Sequence, residues 1–262
     1  MLFRPVQPPR PLPVSASLQE RLAQRLDAVR AQLSRAAGAA GRDASPTLVA
    51  VTKTVGPATT AALADLGCTD FGENRADAFR TKVDALEGLD VPLRWHFIGH
   101  LQRNKARRVL ERCDVLHSVD SERLSVAVAR ITSELERPVG AFVEVNLTGE
   151  PEKHGLDPDA NADELAATLA ALAEAPHVRL EGIMAMGPLG RREGARAVED
   201  VFADAAALGA SLEAATDGPF GGRRCRLSMG MSGDVQEAVQ HGTDLVRVGS
   251  SLFSGLDAEE LR

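Results

Sequence analysis

Residues 48–71 read LVAVTKTVGPATTAALADLGCTDF, and this stretch shows the alternation that decides the fold. A short apolar run at 48–52 is followed by a helix-like segment near 57–66, and a second apolar run occupies 68–71. The helix-like segment ends at Leu66-Gly67, because glycine commonly follows the last turn of a helix. Short strands that alternate with helices are typical of α/β proteins.

The same alternation continues along the rest of the chain. The apolar runs are Leu48–Thr52, Cys68–Phe71, Leu93–Ile98, Asp114–Ser118, Val139–Asn146, Val178–Met184, Arg224–Ser228 and Leu245–Val248. The helix-like stretches between them lie near 57–66, 74–86, 101–111, 121–136, 161–174, 192–213 and 233–241. Eight strands separated by seven helices, without an internal linker, predict a single (β/α)8 barrel of the TIM type. An open, doubly wound sheet is the structural alternative.

A further helix is predicted before the first strand. Ser17 and Glu20 have the spacing of a capping box, and apolar residues recur at helical spacing from Leu22 to Leu33. Prolines punctuate the chain before this helix, and that segment lacks the apolar core of a signal peptide. Residues 1–16 are therefore predicted to be a disordered, proline-rich extension, and residues 17–262 to form the barrel domain.

Composition restricts the class of function. The net charge of −7 argues against coating of nucleic acid and against binding to an anionic membrane surface. No apolar run reaches the roughly 20 residues of a membrane span. The three cysteines are odd in number and lack metal-ligand spacing, which favours a reducing compartment. We expect a cytoplasmic protein without nucleic-acid or membrane partners, as a monomer or weak dimer.

Polar residues follow almost every predicted strand, where the active face of a barrel lies. Lys53 ends the first strand and is one of only four lysines in an arginine-rich chain, which favours a role that needs an amine. A desolvated lysine would be nucleophilic towards an aldehyde. A strand-end lysine that simply extends its ammonium into solvent is the alternative.

Two small turns near the C-terminus predict a phosphate site. The seventh strand runs into Ser228-Met-Gly-Met231-Ser232 before a helix, and the eighth runs into Gly249-Ser250. Barrels often bind phosphate at these two loops, where backbone N–H groups and the positive end of a helix face the anion. Arg247 lies two residues before Gly249, so both face the same side of the strand. Arg247 would face a ring nitrogen, or else pair with a carboxylate inside the barrel.

These residues closely resemble those of the pyridoxal phosphate homeostasis protein family. The matching segments are Leu48-Val-Ala-Val-Thr-Lys53-Thr, Phe71-Gly-Glu-Asn74, Trp95-His-Phe-Ile-Gly-His-Leu-Gln-Arg-Asn-Lys105, Lys153-His-Gly155, Gly182-Ile-Met-Ala-Met186, Leu227-Ser-Met-Gly-Met-Ser-Gly-Asp234 and Val246-Arg-Val-Gly-Ser250. The resemblance implies a barrel related to the alanine racemase N-terminal domain. It implies pyridoxal 5′-phosphate (PLP) as cofactor, held as a Schiff base on Lys53.

The resemblance also implies roles for individual residues. Arg247 would lie at the pyridine nitrogen and Asn74 near the ring. The turn Ser228–Ser232, which includes Met231, and the turn Gly249–Ser250 would hold the phosphate. The implied function is intracellular PLP (vitamin B6) homeostasis, with PLP-dependent enzymes as recipients of the cofactor.

An amino-acid racemase or related enzyme is the alternative function. Two-base racemisation needs a second acid/base opposite the lysine, which in alanine racemases is a tyrosine from an additional β-domain. This sequence contains no tyrosine and ends soon after the eighth predicted strand, so we expect a carrier without dedicated turnover. Fold resemblance alone does not decide between the two functions.

Two other patterns are interpreted as structural. His96 and His100 have the i, i+4 spacing of a zinc pair on a helix, but they straddle a strand end and lack the HExxH glutamate. The basic run from Arg103 to Arg108 is interpreted as a solvated helix face, with Lys105 directed at the cofactor mouth. No metal site is predicted.

Overall fold

The apolar runs of the sequence form eight parallel strands that close into a barrel, with β1 paired to β8. The computed structural model describes residues 13–188 and 196–262. The strands are β1 (Thr47–Val51), β2 (Asp70–Glu73), β3 (Arg94–Phe97), β4 (Val115–Val119), β5 (Val139–Val145), β6 (Val178–Ala185), β7 (Arg226–Met231) and β8 (Leu245–Val248). The predicted barrel is therefore confirmed, and the open-sheet alternative is wrong.

Helices connect successive strands and pack around the outside of the barrel. They are α1 (Ala16–Ala39), α2 (Pro57–Asp65), α3 (Ala76–Leu86), α4 (Arg103–Leu110), α5 (Glu122–Leu135), α6 (Ala162–Ala173), α7 (Val198–Ala214), α8 (Val235–Gln240) and α9 (Ser250–Phe253). Among the described residues, no helix is both long enough and apolar enough to cross a membrane.

The core has two layers, as the strand pleat requires. A small cluster of Val49, Val115, Phe142, Met184 and Leu245 fills the inside of the barrel. A much larger cluster lies between the strands and the surrounding helices. Because side chains alternate along a strand, the residues two positions beyond the inner cluster, such as Arg247 after Leu245, also face the inside.

Two details of the helices differ from the prediction. Ser15, not Ser17, caps α1, because the Ser15 hydroxyl accepts a hydrogen bond from the backbone N–H of Leu18 at 3.2 Å. The predicted capping box at Ser17 is therefore wrong. The turn after β8 continues into the short helix α9, which was not predicted. Residues 1–12 of the predicted extension lie outside the described residues. So do residues 192–195 of the helix predicted near 192–213.

Candidate functional site

A cavity of about 780 Å³ opens at the carboxyl ends of the strands, where the sequence placed the active face. The structure brings together seven of the eight predicted site residues in its lining: Lys53, Asn74, Met231, Ser232, Arg247, Gly249 and Ser250. The eighth, Ser228, is fully buried beneath the cavity and is not part of its lining. Apolar residues from β1, from α9 and from loops complete the wall: Val51, Ile98, Met186, Phe253, Leu256 and Leu261.

Lys53 lies in the loop directly after β1, and its side chain is exposed at the cavity. The expectation of a desolvated amine is therefore not met, because the loop carries the side chain beyond the packed end of the strand. The amine is free to reach a carbonyl group in the cavity.

A buried ionic cluster fixes the backbone just before Lys53. Thr52 is fully buried and donates its hydroxyl to the carboxylate of Glu73 at 2.6 Å. The ammonium of Lys82, on α3, donates both to the Thr52 carbonyl and to Glu73. Burial lowers the pKa of Lys82, and the Glu73 carboxylate opposes that shift. The sequence analysis missed this cluster, although the scarcity of lysine was a usable signal for Lys82 as well.

Arg247 is buried inside the barrel at the floor of the cavity. Its guanidinium donates to the carbonyl of Ser228 at 2.7 Å, to the Ser228 hydroxyl at 2.6 Å and to the carbonyl of Ala185 at 3.2 Å. Burial lowers the pKa of Arg247 to about 10, while Glu144 and Asp234 raise it. The guanidinium is therefore charged at neutral pH, and it can only donate hydrogen bonds.

A chain of hydrogen bonds runs from Arg247 down through the barrel. Ser228 Oγ lies 2.9 Å from His117 Nδ1, His117 Nε2 lies 2.8 Å from His96 Nδ1, and His96 Nε2 lies 2.9 Å from Asp70 Oδ1. Burial lowers the pKa of both histidines. With both rings neutral, every member donates to the next, so the chain is fully satisfied and holds Arg247 in place.

The two predicted phosphate turns are in direct contact. The hydroxyl of Ser232 accepts hydrogen bonds from the N–H groups of Gly249 at 3.3 Å and Ser251 at 3.2 Å. Gly230 adopts a φ of 89°, and a Cβ there would lie 2.6 Å from the Cβ of Ala238. Gly230 lies within β7, which runs to Met231, so the predicted start of the turn at Ser228 is wrong and only Ser232 of that segment lies in the turn. The end of β7 needs glycine in order to approach α8 closely and to present Ser232 to the turn after β8.

Asn74 is positioned by a close backbone contact with the next loop. A Cβ on Gly99 would lie 2.2 Å from the Asn74 carbonyl oxygen, so only glycine fits there. This contact keeps Asn74, which directly follows β2, at the cavity wall.

Glu144, from β5, also lines the cavity. Burial raises its pKa to about 7, with a further increase from the negative charge of Asp120, while Arg247 opposes both. Its carboxylate has no hydrogen-bond or ion-pair partner within residues 13–188 and 196–262. The sequence analysis did not predict this residue, because a glutamate within an apolar strand gives no sign of which way it faces.

The patterns interpreted as structural have mixed outcomes. His96 belongs to the buried chain, whereas His100 is exposed and bonds to Asp120, so the two do not form a pair. Arg107 and Arg108 form surface ion pairs, as a solvated helix face would. Lys105 does not line the cavity itself but a smaller groove that shares Asn74 and His100 with it.

Comparisons with known sequences agree with one another on the relatives of this chain. The family model described as alanine racemase, N-terminal domain, matches residues 24–257. The pyridoxal phosphate homeostasis protein of Pseudomonas aeruginosa is 34% identical over 238 residues, which cover 90% of this chain and 96% of that protein. The protein of the same name from Escherichia coli K12 is 34% identical over 244 residues, with 90% and 97% covered.

Comparison with solved structures agrees with the sequence relatives. The chain is similar to PipY of Synechococcus elongatus PCC7942 with PLP bound, at a TM-score of 0.74 and 35% identity, covering 89% of this chain and all of PipY. An alanine racemase of Clostridium difficile has a TM-score of 0.66 at 11% identity, with 93% of this chain and 59% of the racemase covered. The racemase likeness shows a shared fold only.

Proposed function

Since this chain belongs to the pyridoxal phosphate homeostasis protein family and has the alanine racemase N-terminal domain, we propose that it binds PLP in the cavity and serves in cytoplasmic vitamin B6 homeostasis. The observation that carries the proposal is the lining of the cavity, where an exposed amine, a charged guanidinium and two serine- and glycine-rich turns meet. The PLP-bound state of PipY supports the choice of ligand.

The described residues fit the three functional parts of PLP. Lys53 offers its amine to the aldehyde, as a Schiff base whose formation releases the aldehyde oxygen as water. Ser232 Oγ accepts from the N–H groups of Gly249 and Ser251, so the Ser232 hydroxyl hydrogen and the backbone N–H of Ser250 would be the donors to the phosphate dianion. Arg247 would offer an N–H to the pyridine nitrogen, and Asn74 would lie beside the ring.

The charge of Arg247 favours holding the cofactor over reacting with it. A guanidinium that is charged at neutral pH and only donates keeps the pyridine nitrogen unprotonated. Bound PLP supplies an electron sink for amino-acid chemistry, and that sink is weaker without a ring proton. The hydrogen-bonded chain from Asp70 to Ser228 maintains this arrangement by fixing the guanidinium.

A racemase would need a second acid/base group besides Lys53. The sequence contains no tyrosine, and His96 and His117 are engaged in the buried chain. Glu144, His100 and His154 line the cavity and are, among the described residues, the ionisable groups besides Lys53 that racemisation could use. We therefore propose a carrier that holds PLP for PLP-dependent enzymes, without dedicated turnover.

Incubation of L-alanine with the PLP-loaded protein tests the carrier proposal. We expect no racemisation at rates typical of a dedicated enzyme, because the lack of a positioned acid/base group typically costs about 10²–10⁴ in rate. Chiral analysis of the alanine and α-proton exchange in deuterated water measure the outcome. Exchange without racemisation would support a one-base site. Robust racemisation would overturn the carrier proposal, and its loss in His100→Ala, His154→Ala or Glu144→Gln would identify the second acid/base group.

A further inference from the structure

Three potential metal ligands meet at the mouth of the cavity, each from a different loop. His100 follows β3, Asp120 directly follows β4, and His154 lies in the loop after β5. One ligand atom from each residue lies within 4.8 Å of the others. His100 Nδ1 is 2.9 Å from Asp120 Oδ2, and His154 Nδ1 is 4.0 Å from the same oxygen.

We propose that His100, Asp120 and His154 form a binding site for a divalent first-row transition metal such as Zn²⁺ or Co²⁺. Two imidazoles and one carboxylate suit these borderline cations, whereas Mg²⁺ and Ca²⁺ prefer oxygen ligands. Three protein ligands leave coordination positions for water or for a ligand in the adjacent cavity.

The geometry is close to what such a cation requires. Ligands at the usual 2.0–2.2 Å from Zn²⁺ lie roughly 3–3.5 Å from one another in a tetrahedral site. His100 Nδ1 and Asp120 Oδ2 are hydrogen-bonded at 2.9 Å, so a cation would replace this bond and move the two atoms apart by about 0.5 Å, while His154 needs to approach Asp120 by less than about 1 Å. The two imidazole rings stack with centroids 4.0 Å apart and planes 12° from parallel, so their lone pairs run parallel and one ring has to turn before both nitrogens face the same cation. Their side chains are 42% and 58% exposed, which leaves room for this adjustment.

The surrounding charge also favours a cation. The side chain of Asp120 is only 11% exposed, so its negative charge is poorly solvated. A bound divalent cation would neutralise this charge.

Metal titration of tag-free protein, freed of metal and of PLP, tests the site. The visible absorption of Co²⁺ reports its coordination geometry, and calorimetry with Zn²⁺ reports stoichiometry and affinity. We expect one saturable site per chain, and a loss of at least about tenfold in affinity in His154→Ala, since even outer-shell changes at metal sites cost about 10–100-fold. Because PLP is absent, the result does not depend on the proposed cofactor function.

The matched control is His177→Ala, which removes a histidine at the opposite end of the barrel, just before β6. Its affinity should equal that of the unmodified protein. Asp120→Asn should also lose metal binding. If Asp120→Asn does not fold, the metal affinity of His154→Ala alone tests the site. Equal Co²⁺ and Zn²⁺ binding by His154→Ala and the unmodified chain would overturn the proposal, as would the absence of saturable binding.

Discussion

Single residues of the site were predictable where their role follows from their position after a strand. Lys53, Ser232, Arg247 and Gly249 all lie at strand ends, and the structure brings them to one cavity. The roles that escaped prediction depend on contacts between distant positions. Ser228 and His117 are 111 residues apart, and only the closed barrel places them 2.9 Å from each other.

The pH dependence of stability tests the environment of Glu144. Its folded pKa of about 7 lies above its ordinary value of 4.5, so the folded protein binds a proton that the unfolded chain has lost. The folded state therefore loses stability as pH rises from about 4.5 to about 7. Glu144→Gln should raise the melting temperature of the PLP-free protein at pH 8, with a much smaller gain at pH 5.

Glu20→Gln is the control for this measurement, because Glu20 is exposed on α1. It should change the melting temperature little at either pH. An equal effect of Glu144→Gln at pH 5 and pH 8 would show that Glu144 is not held in its protonated form.

Introduction of a negative charge tests the phosphate turns. Ser232→Asp and Ser250→Asp should each weaken PLP binding at least about tenfold, because a carboxylate repels the phosphate and replaces a hydrogen bond to a charged group worth about 1.5–3 kcal/mol. Fluorescence titration measures the dissociation constant. Ser211→Asp, on the exposed face of α7, should bind PLP normally. Unchanged affinity in both turn variants would remove the phosphate assignment.

At the scale of elements, most of the fold was predictable because apolar runs and stop signals bound every strand and helix. The exceptions have physical reasons. Ser15 and Ser17 are both good N-caps, and only the helical geometry selects Ser15. The helix α9 is four residues long and too short to show a hydrophobic period.

The contact between β6 and β7 depends on a glycine. A Cβ on Gly182 would lie 1.8 Å from the Arg226 carbonyl oxygen, so Gly182→Ala must separate the two strands. We expect a loss of roughly 1–3 kcal/mol in the free energy of unfolding, as for other overpacked sites. Gly38→Ala, at the second-to-last residue of α1 where a Cβ meets open space, should instead stabilise by at most roughly 0.5–1 kcal/mol. Urea unfolding compares the two, and equal effects would contradict the close contact.

At the scale of the whole molecule, the barrel serves as a rigid frame for one cavity. The inner cluster and the hydrogen-bonded chain below Arg247 fill the barrel, so the floor of the cavity is fixed. The loops above that floor carry Lys53 and the phosphate turns. Placing reactive groups on loops above a packed barrel is the common arrangement of this fold.

The attachment of the cofactor to Lys53 is the central claim, and borohydride reduction of the PLP-loaded protein tests it most directly. Reduction makes the Schiff base permanent, and peptide mass analysis then locates the pyridoxyl group. We predict that it lies on Lys53, and that Lys53→Ala loses both the label and the visible absorption band while remaining folded. Lys105→Ala, which removes an exposed lysine outside the cavity, should keep both. A pyridoxyl group on Lys82, Lys105 or Lys153, or full labelling of Lys53→Ala, would contradict the account.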